Sequence, residues 1–295
     1  MTASSLRISS FAKINLALSV LGRRTDGYHE IQTVFQTVDL GDGIEFRPSP
    51  QIEVLCENLP EIRQEDNLVW KAAGLLASAG GTEQGASITI HKTIPAGAGL
   101  GGGSSNAAAA LLGLRRFWNL PLSDSELCAL AESLGSDVPF FLHGGTALGE
   151  GRGEKIRQLP DFPPRHLVII FPGIPVSTAE AYRSLNLGLT SCLEDLRIQH
   201  FIGQGQADAT SLTGIFNDFE ASILTAYPAI AEAKIFLEKR GATATLLSGS
   251  GSSVFGFFSD EESAFAASRE AAREIWRVFP AKTLSRAEYL HKMFG

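Results

Sequence analysis

A glycine-rich stretch between Pro95 and Ala108, with the sequence PAGAGLGGGSSNAA, has residue types and a spacing that suit anion binding. A strand-like segment, ASITIHKTI, leads into it, and a helix-forming segment, AAAALLGLRRFW, follows it. Glycines let the backbone curl around an anion, and the free N–H groups at a helix start then face the negative charge. Ser104, Ser105 and Asn106 add hydrogen-bond donors and candidate metal ligands, or they simply cap the helix after a glycine-rich turn.

The same stretch contains GxGxxG, from Gly97 to Gly102, which is the fingerprint of dinucleotide-binding folds. In those folds an acidic residue ends a second strand about 20 residues further along the chain. Here Asp124 and Glu126 lie instead at the start of a predicted helix, in LSDSEL. No GK[ST] follows the glycines, so a Walker A loop is also excluded. We therefore expect a phosphate loop of another type.

The elements that position this loop alternate between pairs of strands and single helices, which predicts an α+β (mixed α/β) fold. Period-two alternation from Leu6 to Val20 predicts a strand on which Lys13 and Asn15 share one face. The composition shifts at LPDFPPR, residues 159–165, where we place a boundary between domains of residues 1–160 and 161–295.

Composition and charge exclude several classes of function for this chain of 295 residues. The net charge of -7 argues against a nucleic-acid-binding surface, which needs basic stripes, but allows a local basic pocket. No apolar run reaches the roughly 20 residues of a membrane span, and the N-terminus lacks the apolar core of a signal peptide. The cysteines and histidines show no metal-ligand spacing. We therefore expect a cytoplasmic protein without a structural metal.

Four motifs together identify a resemblance. The glycine stretch, read as P-x-x-x-G-L-G-G-G-S-S-N, resembles a motif of the GHMP kinases, and AKINLALSVLGRRTDGYHEI, LGSDVPFFLHGGTALGEGRGE and LLSGSGSSVFGFF extend the resemblance over almost the whole chain. The resemblance implies the two-domain GHMP kinase fold. Its N-terminal, ATP-binding domain is similar to the second domain of ribosomal protein S5 and has an unusual left-handed βαβ crossover. Its C-terminal, substrate-binding domain is a smaller α/β sandwich.

The resemblance assigns catalysis to Asp137 and Lys13. Asp137 is implied to be the general base that accepts the proton of the substrate hydroxyl, and Lys13 to lie beside it and meet developing negative charge. From the residues alone, Asp137 is equally suited to cap the helix that follows it. Lys13 is equally suited to be a solvated charge on a strand.

The resemblance also implies ATP and Mg²⁺ as cofactors. The glycine loop wraps the triphosphate, with Ser104 or Ser105 near the metal ion, while Lys92 and Asn67 flank the adenine or ribose. Lys92 is otherwise an exposed strand residue. The residues assigned to ATP are Pro95, Gly97, Gly99, Leu100, Gly101, Gly102, Gly103, Ser104, Ser105, Asn106, Lys92 and Asn67.

The implied substrate is a small alcohol joined to cytidine through a diphosphate. Tyr28 and Tyr182 stack on the cytosine ring, His29 hydrogen-bonds to its edge, and the last glycine loop turns its N–H groups toward the diphosphate. The assigned residues are Asn15, Tyr28, His29, Thr178, Tyr182, Gly249, Ser250 and Gly251. On sequence alone, the aromatic residues also suit simple packing, and the last loop suits a tight hairpin turn.

The sequence therefore predicts an ATP-dependent kinase with a small-molecule substrate, no nucleic-acid or membrane partner, and a monomeric or weakly homodimeric state. One alternative is a GHMP kinase acting on a different small alcohol, with Tyr28 and Tyr182 merely packing. The segment DGYHE argues against it. A second alternative is a sensor that binds nucleotide without turnover, and the presence of both Lys13 and Asp137 argues against that.

Overall fold

Two long antiparallel strands, β1 (Leu6–Arg23) and β2 (His29–Ser49), form the centre of the larger of two sheets. The structure is a computed structural model and describes residues 5–58, 63–185, 196–207, 212 and 214–295. The other strands are β3 (Ile52–Glu57), β4 (Gly85–His91), β5 (Thr146–Gly151), β6 (Lys155–Gln158), β7 (His166–Phe171), β8 (Phe216–Asn217), β9 (Ala244–Leu247), β10 (Val254–Phe258) and β11 (Arg277–Lys282). The helices are α1 (Leu68–Gly80), α2 (Gly102–Phe117), α3 (Asp124–Leu134), α4 (Val138–Phe141), α5 (Thr178–Ser184), α6 (Leu196–Ala207), α7 (Glu220–Ala226), α8 (Pro228–Lys239), α9 (Glu261–Ala271) and α10 (Arg286–Phe294).

The larger sheet has the strand order β3-β4-β2-β1-β8, and a hairpin of β5 and β6 joins it along β2. The first half of β2 pairs with β5 and the second half with β4, while β1 pairs with it along most of its length. The strands β3 and β4 are parallel neighbours joined through α1, which forms a βαβ unit. The left-handed sense of its crossover stays a prediction.

Helices α1, α2 and α3 pack on one face of this sheet in a core shared with β1, β2 and β4. The alanine-rich face of α2 allows a close approach. A Cβ added at Gly113 would lie 2.7 Å from the Phe46 ring, so this helix sits nearly against the sheet. Gly80 of α1 is similarly close to Leu120. Small residues on these helices therefore fix how closely the layers pack.

The smaller sheet is antiparallel, with the order β11-β7-β10-β9. Its apolar residues Leu167, Ile169 and Phe255 share a second core with Ile14 and Leu16 of β1, so the two sheets pack together. Helices α8 and α9 contribute to a third core on the smaller sheet. This arrangement confirms the predicted mixed α/β architecture with a smaller C-terminal α/β unit.

The last helix, α10, crosses the boundary that the sequence predicts near residue 160. Tyr289 and Met293 are buried in the core of α1, α2 and α3, and the Tyr289 hydroxyl donates to the Phe141 carbonyl at 2.5 Å. Strand β8 likewise pairs with β1. The C-terminal part of the chain therefore returns to pack on the N-terminal part, and the boundary near residue 160 stays a prediction. Within the described ranges, no helix is long and apolar enough to span a membrane.

Candidate active site

Two β-bulges in β1 flank Lys13 and Asn15. The register with β2 shifts between Phe11 and Lys13, and again between Asn15 and Ala17. A bulge releases backbone groups from the strand ladder and re-aims the neighbouring side chains. At the first bulge the Lys13 N–H donates to the Leu100 carbonyl at 3.0 Å. The strand that carries Lys13 is therefore attached directly to the glycine loop.

Lys13 is a buried cation with two polar neighbours. Only 4% of the residue is exposed. Its ammonium donates to Asn15 Oδ1 at 2.7 Å and lies 3.7 Å from Asp137 Oδ2. Burial lowers the pKa of Lys13 below the ordinary value of 10.5, while the charge of Asp137 and a hydrogen bond to it act in the opposite direction. The sequence alone also allowed Lys13 to be a solvent-exposed charge on a strand. Its burial excludes that alternative.

Asp137 immediately precedes α4, where a capping residue would stand. Within the described residues, its side chain makes no capping hydrogen bond to that helix. The carboxylate faces Lys13 instead, and 31% of the side chain is exposed. A Cβ added at Gly153, in the turn between β5 and β6, would lie 3.9 Å from its Oδ1. A carboxylate that is held by a cation and open to a cavity is suited to accept a proton.

The glycine loop, residues 95–101, depends on left-handed backbone at alternate positions. Gly97, Gly99 and Gly101 have φ values of 64°, 77° and 68°. A Cβ on Gly99 would lie 2.1 Å from the Ser248 carbonyl oxygen, so only glycine fits there. Helix α2 begins at Gly102, earlier than predicted, and Gly101 at its N-cap offers no side-chain cap. The first N–H groups of the helix are therefore left for an anion.

A second glycine loop, residues 248–251, packs against the first. The Ser248 hydroxyl donates to the Gly99 carbonyl at 3.0 Å, and the Ser253 N–H donates to the Ala98 carbonyl at 3.1 Å. The Asn217 amide donates to the Gly249 carbonyl at 2.7 Å, which anchors this loop to β8. The carbonyls of Ala98, Gly99 and Gly249 are thus engaged in hydrogen bonds within the protein.

These elements enclose a cavity of about 1040 Å³. The side of the cavity near Lys13 and Asp137 holds the catalytic candidates and both glycine loops. Of the residues predicted from sequence, it is lined by Lys13, Asn15, Tyr28, His29, Gly97, Gly99, Gly101, Asp137, Thr178, Tyr182, Gly249, Ser250 and Gly251. The other residues assigned to ATP do not line it: Pro95, Leu100, Gly102, Gly103, Ser104, Ser105, Asn106, Lys92 and Asn67.

Several of those residues make hydrogen bonds within the protein, and their predicted contacts with ATP stay predictions. The Ser105 hydroxyl is buried and bonded to both the N–H and the carbonyl of Phe11, so it does not face the loop as a metal ligand. The Asn106 amide is buried against Ser10 and Asp42. Both side chains hydrogen-bond α2 to the larger sheet. Their partners lie on strands that are distant in sequence, so the local motif does not reveal these contacts.

Lys92 and Asn67 are also engaged with the protein. Lys92 is not an exposed strand residue: it lies beyond the end of β4, and its ammonium pairs with the buried Asp42, beside the start of α2. The Asn67 side chain accepts a hydrogen bond from the Val69 N–H at 2.9 Å and so caps α1. Their predicted contacts with adenine or ribose stay predictions.

Aromatic side chains also line the cavity. The His29 ring stacks on the Tyr182 ring, with centroids 4.3 Å apart and planes inclined by 9°. Tyr28 is 56% exposed, and the Arg152 guanidinium lies 4.8 Å from its ring centroid. The ring stacked on Tyr182 is thus His29, so a cytosine between Tyr28 and Tyr182 requires that His29 move. Phe219 supports Tyr182 edge-on.

His29 and Tyr182 are largely neutral near pH 7. Burial, and to a smaller degree the charge of Arg23, lowers the pKa of His29 below 6.5. Burial raises the pKa of Tyr182 to about 12. A neutral imidazole offers one hydrogen-bond donor and one acceptor, which suits recognition of a base edge that carries both.

Sequence reasoning missed five polar residues that line the cavity. These are Arg23, Thr33, Ser136, Arg152 and Arg183. Arg23 and Arg152 lie within the GHMP-like segments, but isolated arginines in turns are usually solvated, so no local pattern distinguished them. Only the fold brings the three arginines to one cavity, where they give a locally basic wall in a chain of negative net charge.

Comparisons with known proteins agree with this geometry. The chain matches the family models described as "GHMP kinases N terminal domain" over residues 67–145 and "GHMP kinases C terminal" over residues 202–277. It is 44% identical over 278 residues to the 4-diphosphocytidyl-2-C-methyl-D-erythritol kinase of Pelotomaculum thermopropionicum, covering 93% of this chain and 96% of the relative. The kinase of the same name from Syntrophus aciditrophicus is 41% identical, with coverage of 95% and 99%.

Solved structures show the same relationship. A crystal structure of 4-(cytidine 5'-diphospho)-2C-methyl-D-erythritol kinase superposes with a TM-score of 0.81 at 34% identity, covering 94% of this chain and 99% of that one. Homoserine kinase from Cytophaga hutchinsonii superposes with a TM-score of 0.73 at 20% identity, covering 97% and 96% of the two chains. The similarity to homoserine kinase, at 20% identity, shows a shared fold alone.

Proposed function

Because the chain belongs to the GHMP kinase family, we propose that it phosphorylates the 2-hydroxyl of 4-diphosphocytidyl-2-C-methyl-D-erythritol. GHMP kinases use ATP, so the products are the 2-phosphate and ADP. The reaction is a step of isoprenoid precursor synthesis by the non-mevalonate route. The observation that carries the proposal is the Lys13–Asp137 pair, which lies in one cavity with both glycine loops and the aromatic residues.

In this reaction Asp137 accepts the proton of the substrate hydroxyl, and Lys13 stabilises the negative charge that develops. The substrate hydroxyl oxygen forms a bond to the γ-phosphorus, while the bond from that phosphorus to the leaving oxygen of ADP breaks. The hydroxyl proton passes to Asp137, which later releases it to solvent. The Lys13 ammonium, 3.7 Å from Asp137, stabilises the negative charge that develops on the hydroxyl oxygen and the transferred group.

The glycine loop and the start of α2 are suited to hold the triphosphate. The uncapped N–H groups of α2 and the positive end of its dipole attract phosphate oxygens. Because loop carbonyls such as those of Ala98, Gly99 and Leu100 accept hydrogen bonds from the protein, they are turned away from the nucleotide. Backbone donors therefore dominate the surface that the loop presents.

The residues at this helix start fit a magnesium ion only in part. Ser104 is half-buried at the start of α2 and is the remaining hydroxyl candidate, since Ser105 is bonded to Phe11. In the part of the chain that the structure describes, no three His, Cys, Asp or Glu side chains cluster as a metal site. Mg²⁺ would thus be held by Ser104 together with phosphate oxygens, and it would neutralise charge on the transferred group.

The aromatic side chains and arginines that line the cavity are suited to the cytidine diphosphate part of the substrate. Once His29 moves off the Tyr182 ring, Tyr28 and Tyr182 provide ring faces for the cytosine, and neutral His29 provides the hydrogen bonds that distinguish it from other bases. Arg152 and Arg183 provide positive charge for the diphosphate, together with the N–H groups of the second glycine loop. Thr178, whose hydroxyl lies 3.2 Å from that of Ser250, borders the same region.

A substrate panel tests this proposal. The protein is mixed with ATP, Mg²⁺ and one alcohol at a time, and ADP formation is followed. We expect rapid ADP formation with 4-diphosphocytidyl-2-C-methyl-D-erythritol and only background rates with homoserine or mevalonate. Turnover of homoserine or mevalonate without turnover of the cytidine substrate would assign the chain to a different GHMP reaction. Binding of the cytidine substrate without any ADP formation would favour a sensor.

A further inference from the structure

Thr33 is a buried residue of β2 that lines the cavity but contacts neither Asp137 nor a glycine loop through any bond described. Its hydroxyl takes part in two short hydrogen bonds. It donates to the Ala17 carbonyl at 2.7 Å, and its oxygen accepts from the Asn15 amide nitrogen at 2.7 Å. Thr33 thus lies between the second bulge of β1 and the side chain that holds Lys13.

The direction of every hydrogen bond in this chain of groups is fixed. The Ala17 carbonyl can only accept, so the single hydroxyl proton of Thr33 must point to it. The Thr33 oxygen must then accept, so Asn15 presents its NH₂ group to Thr33. Its Oδ1 is therefore left to face the Lys13 ammonium, which can only donate. The positions of the oxygen and nitrogen atoms in the Asn15 amide therefore follow from its hydrogen-bond partners, since the two ends of an amide have nearly the same shape.

We propose that Thr33 is a positioning residue, which fixes the Asn15 amide and thereby holds the Lys13 ammonium in place beside Asp137. The Ala17 carbonyl that orients the hydroxyl lies next to the register shift between Asn15 and Ala17. The kinetic part of the proposal rests on the proposed kinase function.

The variant Thr33→Val keeps the volume of the side chain but removes its hydroxyl. The Asn15 amide then loses the acceptor that orients it, and it can turn its NH₂ group toward the Lys13 ammonium, where two donors repel. Lys13 loses an acceptor that favours its charged form, and its distance to Asp137 changes. Small displacements of catalytic groups are costly, so we expect kcat to fall about 10- to 100-fold with an unchanged KM for ATP.

The test compares three variants. Thr33→Ser keeps the hydroxyl, so its kcat should stay within about 3-fold of the wild-type value. Thr146→Val removes another buried threonine hydroxyl of the same sheet that both donates and accepts a hydrogen bond. It should lower stability to a similar degree while leaving the pH profile of kcat unchanged. In Thr33→Val, by contrast, the alkaline limb of that profile should move to lower pH.

A second readout does not depend on the substrate. The rate at which cyanate modifies Lys13, measured by mass spectrometry across pH, gives the apparent pKa of its ammonium. We expect a lower value in Thr33→Val than in the wild type, Thr33→Ser and Thr146→Val. An unmoved Lys13 titration, or a kcat loss no larger than that of Thr146→Val, would overturn the proposal. A wild-type chain that is inactive on the cytidine substrate would contradict the proposed function but leave this titration test in force.

Discussion

At the scale of single residues, Lys13 is subject to two opposing effects. Burial favours its neutral form, and the neighbouring Asp137 favours its charged form. Asn15 adds an acceptor that also favours the ammonium. The cation is therefore retained by a small number of specific partners, which makes its charge sensitive to each of them. A lysine in this setting offers a concentrated positive charge where water is largely excluded.

Replacing Asp137 with Asn tests the role of the carboxylate as proton acceptor. The amide keeps the shape but cannot take the hydroxyl proton, so we expect kcat to fall about 100-fold or more. ATP binding, measured by calorimetry, should be spared, because the glycine loop and α2 are untouched. Near-normal turnover would remove Asp137 from the base role.

His29 predicts a pH dependence of substrate recognition. Its pKa is lowered below 6.5 by burial and by Arg23, so the ring is neutral at pH 7 and gains a proton only in more acidic solution. Protonation removes its acceptor nitrogen. We expect the KM for the cytidine substrate to be constant from about pH 8 down to pH 6.5 and to rise below that.

The matched variant for this prediction is His29→Asn, whose amide keeps a donor and an acceptor but does not titrate. It should abolish the acidic rise in KM, while the KM for ATP follows the wild-type profile in both proteins. Persistence of the rise in His29→Asn would assign the pH dependence to another group.

The positions of the residues proposed to act in catalysis were easier to predict than the contacts of the residues around them. The placement of Asp137 beside Lys13 was predicted because both lie in distinctive motifs with a resemblance that implies their roles. Ser105 and Asn106 lie in an equally distinctive motif, yet their side chains bond to Phe11 and Asp42. The direction in which a helix side chain points depends on where the helix begins, and α2 begins before the serines. Local sequence does not contain that information.

At the scale of elements, the two glycine loops form one unit. Gly99 lies directly against the backbone at Ser248, and hydrogen bonds from Ser248 and Ser253 join the loops. Each loop belongs to a different half of the chain. The surface proposed to bind triphosphate is thus shaped by contacts with the surface proposed to bind substrate.

A pair of glycine variants tests the close contact. Gly99→Ala places a Cβ 2.1 Å from the Ser248 oxygen on a left-handed backbone, so we expect it to destabilise the protein by about 3 kcal/mol or more and to raise the KM for ATP. Gly97 has a similar φ of 64°, but no atom of the described chain lies within 4 Å of its added Cβ. Gly97→Ala should therefore cost only about 1 kcal/mol.

Denaturant unfolding measures both free energies. Equal losses of stability in the two variants would show that backbone strain alone, rather than contact between the loops, requires glycine at residue 99.

At the scale of the whole molecule, the cavity is lined by β1 and β2 of the larger sheet and by the loop that joins β9 to β10 of the smaller sheet, and α10 packs behind it. Tyr289 of α10 packs edge-on against Phe11 and donates to the Phe141 carbonyl, on the helix that follows Asp137. The mixed architecture could be predicted from alternating strand and helix patterns. The docking of α10 could not, because a short amphipathic segment does not reveal which distant core it joins.

The contribution of α10 packing to the free energy of unfolding can be measured. Tyr289→Ala removes a fully buried aromatic side chain, and we expect the free energy of unfolding to fall by about 3–5 kcal/mol. Leu290, the next residue of the same helix, is 36% exposed, so Leu290→Ala should cost about 1 kcal/mol or less. Urea unfolding followed by fluorescence provides both values. Similar losses in both variants would argue that α10 contributes through its helix alone and not through the Tyr289 contact.

We propose that this cavity is where a phosphoryl group passes from ATP to a cytidine-linked alcohol. The most direct test of this proposal is ³¹P NMR of the wild-type reaction with ATP, Mg²⁺ and 4-diphosphocytidyl-2-C-methyl-D-erythritol. We expect one new phosphomonoester signal on the substrate that grows in equal amount with ADP, while the diphosphate signals of the substrate persist. Release of inorganic phosphate without a new monoester, or an unchanged spectrum, would contradict it.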